Sequence, residues 1–178
     1  MNREKYLKVP KDRIAVIIGE EGEVLQRIED ETESKVNLDS DTGEVSIEGE
    51  DYFGVNTAWS IVKAIARGFS PRKAYKLFKK NYMLEIINLK DYLSTSKEIK
   101  RQKGRVIGRE GKTRRKIEQD TKCYLAIYGK TISIIGPMEN MEIAKKAVDK
   151  LLDGAPHGHV YRYLEEERKK RRTEPWAK

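Results

Sequence analysis

Two four-residue segments, Gly19-Glu20-Glu21-Gly22 and Gly108-Arg109-Glu110-Gly111, set bare backbone beside charge in a pattern suited to a phosphodiester. A glycine has no Cβ to hold a phosphate away, and its tolerance of positive φ permits a tight turn. Where such a turn opens into a helix, the first helical amides face the anion. The second turn lies in a basic run. Lys100, Arg101, Lys103 and Arg105 precede it, Arg109 and Lys112 stand in or beside it, and Arg114, Arg115 and Lys116 follow. Only Glu110 opposes them between Lys100 and Lys116. The first turn has the reverse charge, with Glu20, Glu21 and Glu23, and Glu29, Asp30 and Glu31 behind them. Three like charges near one phosphate cost about 1–3 kcal/mol at surface dielectric. The second turn is therefore the expected nucleic-acid site. The first, Gly19 to Gly22, is expected to be a secondary or degenerate site, kept for packing or a protein partner.

Other chemistries find little support. A nuclease needs clustered acids for metal ions, and the acids at Glu20–Glu23 have no partner set at a recognisable spacing. The two histidines, His157 and His159, form one pair with no cysteine nearby, too few ligands for a metal site. Cys123, the single cysteine, starts an expected strand and reads as core. No catalytic residue, metal or cofactor is assigned. One cysteine excludes an internal disulfide and fits a reducing cytoplasm. No run of about 18 apolar residues is present to span a membrane, and the charged start MNREKYLKVP does not suit a signal peptide.

The net charge of +8 is unevenly placed. Met1–Arg67 carries −6, Gly68–Lys80 carries +5, Asn81–Asp153 carries +6 and Gly154–Lys178 carries +3. A polyanion is drawn to the second half.

The elements that must position the turns repeat with them. At an offset of 89, Ile18, Gly19, Glu21 and Gly22 meet Ile107, Gly108, Glu110 and Gly111. Ile28-Glu29 meets Ile117-Glu118, Val36 meets Leu125 and Leu38 meets Ile127. After a two-residue loop difference, Val45, Ile47 and Gly49 meet Ile132, Ile134 and Gly136. Such a repeat identifies one supersecondary unit used twice.

Periodicity gives the order within each unit. Tyr6–Val9 alternates as a strand, Lys11–Ile18 and Glu23–Thr32 read as helices, and Lys35–Asp39 and Glu44–Glu48 as strands. Tyr52–Arg67 is a long helix with Val55, Trp59, Val62 and Ile65 on one stripe. Arg72–Lys80 reads as a basic connector helix capped by Ser70, with Pro71 first. The second unit repeats the plan, with a helix capped by Ser96, a tight hairpin over Gly129-Lys130 and a last helix at Met138–Leu152. A tail helix is expected over Val160–Arg172, and Thr173–Lys178 is expected to fray.

The expected fold is α+β: two tandem type I KH domains, each β-α-α-β-β-α, plus a C-terminal helix. The expected bounds are 1–67, a connector at 68–80, 81–153, and a tail at 154–178. A KH groove holds single-stranded nucleic acid, stacks its bases on side chains and clamps its backbone with the Gly-x-x-Gly loop. The expected RNA contacts are Arg105, Val106, Ile107, Gly108, Arg109, Glu110, Gly111, Lys112, Arg114, Arg115, Ile117 and Leu125, with Val106, Ile107, Ile117 and Leu125 as the floor. Arg114 departs from the usual apolar residue three after the second glycine, where the first copy has Leu25. It is expected to point into the groove.

The acidic and basic turns, together with the tail Gly154-Ala155-Pro156-His157-Gly158-His159-Val160-Tyr161, resemble the archaeal branch of the Dim-two (Partner-of-Nob-one) proteins, assembly factors of the small ribosomal subunit. The likeness runs from about Lys5 to Leu164. It implies binding near the 3′ end of small-subunit rRNA and partnership with the endonuclease that trims that end. It also implies contact with the alpha subunit of translation initiation factor two. A monomer in the cytoplasm is expected. The alternative is a protein-interaction adaptor in which RNA binding is secondary.

Overall fold

The structure, a computed structural model, describes residues 3–174; residues 175–178, part of the segment expected to fray, lie outside them. The chain forms two compact units, one up to Leu84 and one from Glu85.

The first unit runs β1 (Arg3–Lys8), α1 (Lys11–Ile18), α2 (Glu23–Thr32), β2 (Lys35–Leu38), β3 (Glu44–Gly49) and α3 (Tyr52–Ala66). β3 is central and antiparallel to both neighbours, with Tyr6 and Asn37 each opposite Ser46. Alternation sends Val36, Val45 and Ile47 inward, and Ile17, Ile28, Val55, Val62 and Ile65 of the helices are buried in the same unit's core. Asp51 caps α3 by accepting the Gly54 amide at 2.8 Å. Arg13 of α1 donates to the carbonyls of Ile65 and Phe69 at 2.8 Å each, which ties α1 to the end of α3.

The connector differs from its expected form. α4 is one turn, Pro71–Ala74, capped by Ser70, and Tyr75–Phe78 tightens into a 3₁₀ turn. A 3₁₀ turn eclipses residues i and i+3. Here it stacks the rings of Tyr75 and Phe78 5.5 Å apart, with the Arg27 guanidinium 4.3 Å from the Tyr75 ring centre. Contact with aromatic rings overrides the longer helix that propensity favours.

The boundary falls inside β4 (Tyr82–Asn88), whose sheet belongs to the second unit, and that unit continues with α5 (Ser96–Ile107), α6 (Lys112–Thr121), β5 (Tyr124–Tyr128), β6 (Thr131–Pro137), α7 (Met138–Leu152) and α8 (His157–Thr173). β6 is central and β5 is an edge strand. The architecture is thus α+β, two three-stranded KH modules followed by a C-terminal helix. The cap of α5 is Thr95 rather than Ser96. Glu98, three residues on, receives the Thr95 amide while Thr95 receives that of Glu98, a reciprocal box. α8 begins at His157, three residues earlier than expected, because Pro156 pre-sets its entry. Val160 and Leu164 are fully buried and anchor α8, which packs on α6 and α7. A Cβ on Gly136 would stand 2.3 Å from the Cys123 sulfur, so β6 and the buried thiol are in contact.

Candidate nucleic-acid interface

The two turns share one backbone. α5 stops at Gly108, whose φ of 73° and ψ of 173° fall in a region essentially reserved for glycine. A 3₁₀ turn over Arg109–Gly111 follows, with Glu110 at φ 53° and Gly111 at φ 73°, and then α6 begins. In the first module Gly19, Glu21 and Gly22 have φ of 77°, 54° and 78°. The turn's own bonds run from the Gly108 amide to Gly104, from Gly111 to Gly108 and from Lys112 to Arg109. Among the described residues they leave the Arg109 and Glu110 amides without a backbone acceptor, free for an incoming oxygen. A Cβ on Gly108 would lie 2.2 Å from Thr113 Oγ1, and one on Gly19 would lie 2.4 Å from Val24 Cγ2. The first glycine of each turn is therefore fixed by both conformation and contact.

The charged residues separate into groups. Lys100, Arg101, Arg109, Glu110, Lys112 and Arg115 are exposed. Arg115 also donates to the Glu110 carbonyl at 2.7 Å and so braces the turn. Lys103 reaches the Gly129 carbonyl at 2.8 Å. In the first module Glu20, Glu21 and Glu23 are all exposed, so the acidic turn presents its carboxylates to solvent.

Several expected contacts stand elsewhere. Arg105 does not present its guanidinium to a ligand; it donates to the carbonyls of Leu151 and Ala155, where α7 ends. Val106 and Ile117 are 0% exposed and Leu125 2%, so they are core rather than floor, and a base cannot touch them. Ile107 alone of that set is half-buried. Arg114 does not replace a core residue. The inward position on that turn is Thr113, 2% exposed, matching Val24 at 5%, while Arg114 and Leu25 are both half-buried on the flank. Arg114 Nε is buried without a hydrogen-bond partner among the described residues.

Sequence reading missed Thr113, His157 and Tyr161. The Thr113 and Tyr161 hydroxyls are 2.9 Å apart, and His157 Nε2 is 2.9 Å from the Arg105 carbonyl oxygen. A helix starting directly after Pro156 puts His157 and Tyr161 one turn apart on one face, a spacing visible in the sequence once that start is known. Among the described residues, no three His, Cys, Asp or Glu side chains gather as a metal site.

This geometry agrees with known proteins. Residues 83–169 match the eukaryotic type KH-domain, KH-domain type I, and residues 4–64 match the KH domain. The Dim2p chain in the crystal structure of the a/eIF2alpha–aDim2p–rRNA complex from Pyrococcus horikoshii is 47% identical. It superposes with a TM-score of 0.89 over 95% of this chain and 96% of that one. The chain belongs to the Dim2/PNO1 family of tandem KH proteins. A KH domain-containing protein of Methanocaldococcus jannaschii is 47% identical over 98% of this chain and 79% of its own length. The RNA-binding protein pno1 of Dictyostelium discoideum is 25% identical over 90% of this chain and 70% of its own. The Dim2/PNO1 family comprises RNA-binding factors of rRNA processing, not enzymes.

Proposed function

We propose that this protein binds single-stranded RNA near the 3′ end of small-subunit rRNA during ribosome assembly and holds it for a processing nuclease. The observation that carries the reading is the second turn. Its two uncommitted amides lie among the exposed cations Arg101, Arg109 and Lys112, on the backbone of a single-strand-binding module. The relative from Pyrococcus horikoshii was solved with rRNA, which supports the substrate class. RNA meets Arg109, Lys112 and the Gly108–Gly111 backbone, with Ile107 on the base side. Neutralising about three phosphates gives a slope of log K against log salt near −2 for a single strand.

The exposed acids Glu20, Glu21 and Glu23 favour a protein partner for the first module. The endonuclease that trims the 3′ end and the alpha subunit of initiation factor two are the partners we propose. The relative was crystallised with a/eIF2alpha, which supports the second of them.

Crosslinking RNA to the protein in cell extract and sequencing it tests the reading. Reads concentrated at the 3′ terminus of small-subunit rRNA are expected. Reads spread over unrelated transcripts, or tighter binding to duplex than to single strands, would overturn it.

A further inference from the structure

The C-terminal helix holds the second turn from both sides. His157 bonds the last turn of α5 through the Arg105 carbonyl, and Tyr161 bonds the first turn of α6 through Thr113. Arg105 returns the contact by donating to the Leu151 and Ala155 carbonyls at the approach to α8. In the register of the repeat, Arg105 and Thr113 stand where the first module has Val16 and Val24. Two positions that are apolar in one copy are polar in the other, at the two points where the tail helix touches the turn.

This contact closes one side of a pocket at the turn. Gly104 and Gly108 leave its floor bare, Arg101, Arg109 and Lys112 line it with charge, and His157 and Tyr161 form an aromatic wall. The two rings are 6.3 Å apart, edge to face. Anchoring α8 does not require them, since Val160 and Leu164 already lie fully buried beneath it. His157 and Tyr161 are instead half-buried at the pocket. Each keeps a polar valence after its bond to the turn. With Nε2 engaged, the second ring nitrogen of His157 remains, and a hydroxyl can make more hydrogen bonds than the one Tyr161 makes with Thr113.

We propose that the tail helix completes the RNA site, and that this pocket takes one nucleotide beyond those held by the Gly-x-x-Gly groove. Its phosphate meets Arg101, Arg109 and Lys112, and its sugar or base lies against His157 and Tyr161. The inference rests on the RNA-binding reading above. A bare floor admits the nucleotide closely, cations neutralise its phosphate, and aromatic faces accept any base by stacking. The chemistry selects an unpaired strand and is indifferent to base identity.

The test compares RNA oligonucleotides of about four and six nucleotides, given that a KH loop clamps about four. It uses the full chain and the double variant His157→Gln, Tyr161→Leu. Gln retains a donor for the Arg105 carbonyl and Leu retains apolar volume, and thermal melting monitors the fold. The wild type is expected to bind the longer strand more tightly, and the variant to lose about tenfold on that strand, removing the gain from lengthening. Equal affinity of variant and wild type for both strands overturns the inference. So does an equal loss on both strands with a lowered melting temperature, which would make the tail purely structural. Failure of the wild type to bind either strand instead overturns the RNA-binding reading itself, and the inference with it. In a second measurement, a strand carrying 4-thiouridine is photocrosslinked to the wild type. Crosslinks on the peptide containing His157 and Tyr161 are expected, and crosslinks confined to α5, α6 and β5 overturn the proposal.

Discussion

The carboxylate of Glu118 accepts the amide N–H of Leu125 at 2.9 Å, strapping α6 to the edge strand β5. Glu29 does the same for Val36 at 2.8 Å in the first module. Both bonds span seven residues and both pairs lie at the repeat offset of 89. An edge strand presents unpaired amides, and each module covers one with a side chain from the preceding helix.

Replacing Glu118 by Ala leaves the Leu125 amide without that acceptor. A loss of about 1–3 kcal/mol is expected for the second unit, and Glu118→Gln, which keeps a carbonyl acceptor, should lose less. Urea unfolding of the two variants checks this.

Charge separates the two turns. Arg109→Asp with Lys112→Asp should weaken binding of single-stranded RNA at least tenfold, about 1.4 kcal/mol or more. Glu20→Lys with Glu23→Lys, at the matching positions, should not weaken it. Fluorescence anisotropy at fixed salt decides, and equal losses from both pairs would count against the asymmetry.

The two glycines of the second turn should respond differently. Gly108→Ala puts a methyl on Thr113 in a conformation reserved for glycine, at an expected cost of about 3 kcal/mol or more. A Cβ at Gly111 meets only the far ends of Arg115 and Arg114, at 3.3 and 4.0 Å. Its backbone lies in the left-handed helical region that asparagine tolerates. Gly111→Asn should cost about 1 kcal/mol. Thermal melting orders the two.

How far the sequence could be read depended on which kind of signal each feature leaves. The two modules were legible because Ile28 and Ile117, or Val45 and Ile132, repeat with their neighbours at fixed offsets. Helical and strand periodicity also told inside from outside. It could not tell which inward residues still meet solvent, so Val106, Ile117 and Leu125 were read as floor when they are core. Arg105 was misread because a cation beside a basic turn looks the same in sequence whether it faces a phosphate or a carbonyl. Thr113 and Tyr161, 48 residues apart, meet only once α8 has docked. Local pattern carries no record of that contact.

Asp149 carries a testable pH dependence. Burial, helped by Asp153 and Glu85, pushes its carboxyl above the ordinary range against the pull of Lys145, and Oδ1 is buried without a hydrogen-bond partner among the described residues. A carboxyl whose folded pKa lies above its unfolded one contributes stability below the unfolded value, and loses it as pH rises through the folded one. The native protein therefore bears this cost at neutral pH. Asp149→Asn should melt higher than the wild type at pH 7, and the gap should narrow as pH falls through the carboxylate range. A constant gap would show that the group's charge is not responsible.

The contact of Gly136 with Cys123 makes the only thiol in the chain a built-in stopwatch. Burial pushes the thiol's pKa up, and the close backbone of β6 shields it, so a sulfhydryl reagent must wait for the second module to open. Its labelling rate then measures how often that module breathes, with no probe added and no signal from the first module. A ligand present at about 100 times its dissociation constant lowers the open fraction about a hundredfold. RNA seated on the second module should slow the clock by that factor, and a protein partner confined to the first module's acidic turn should leave it running.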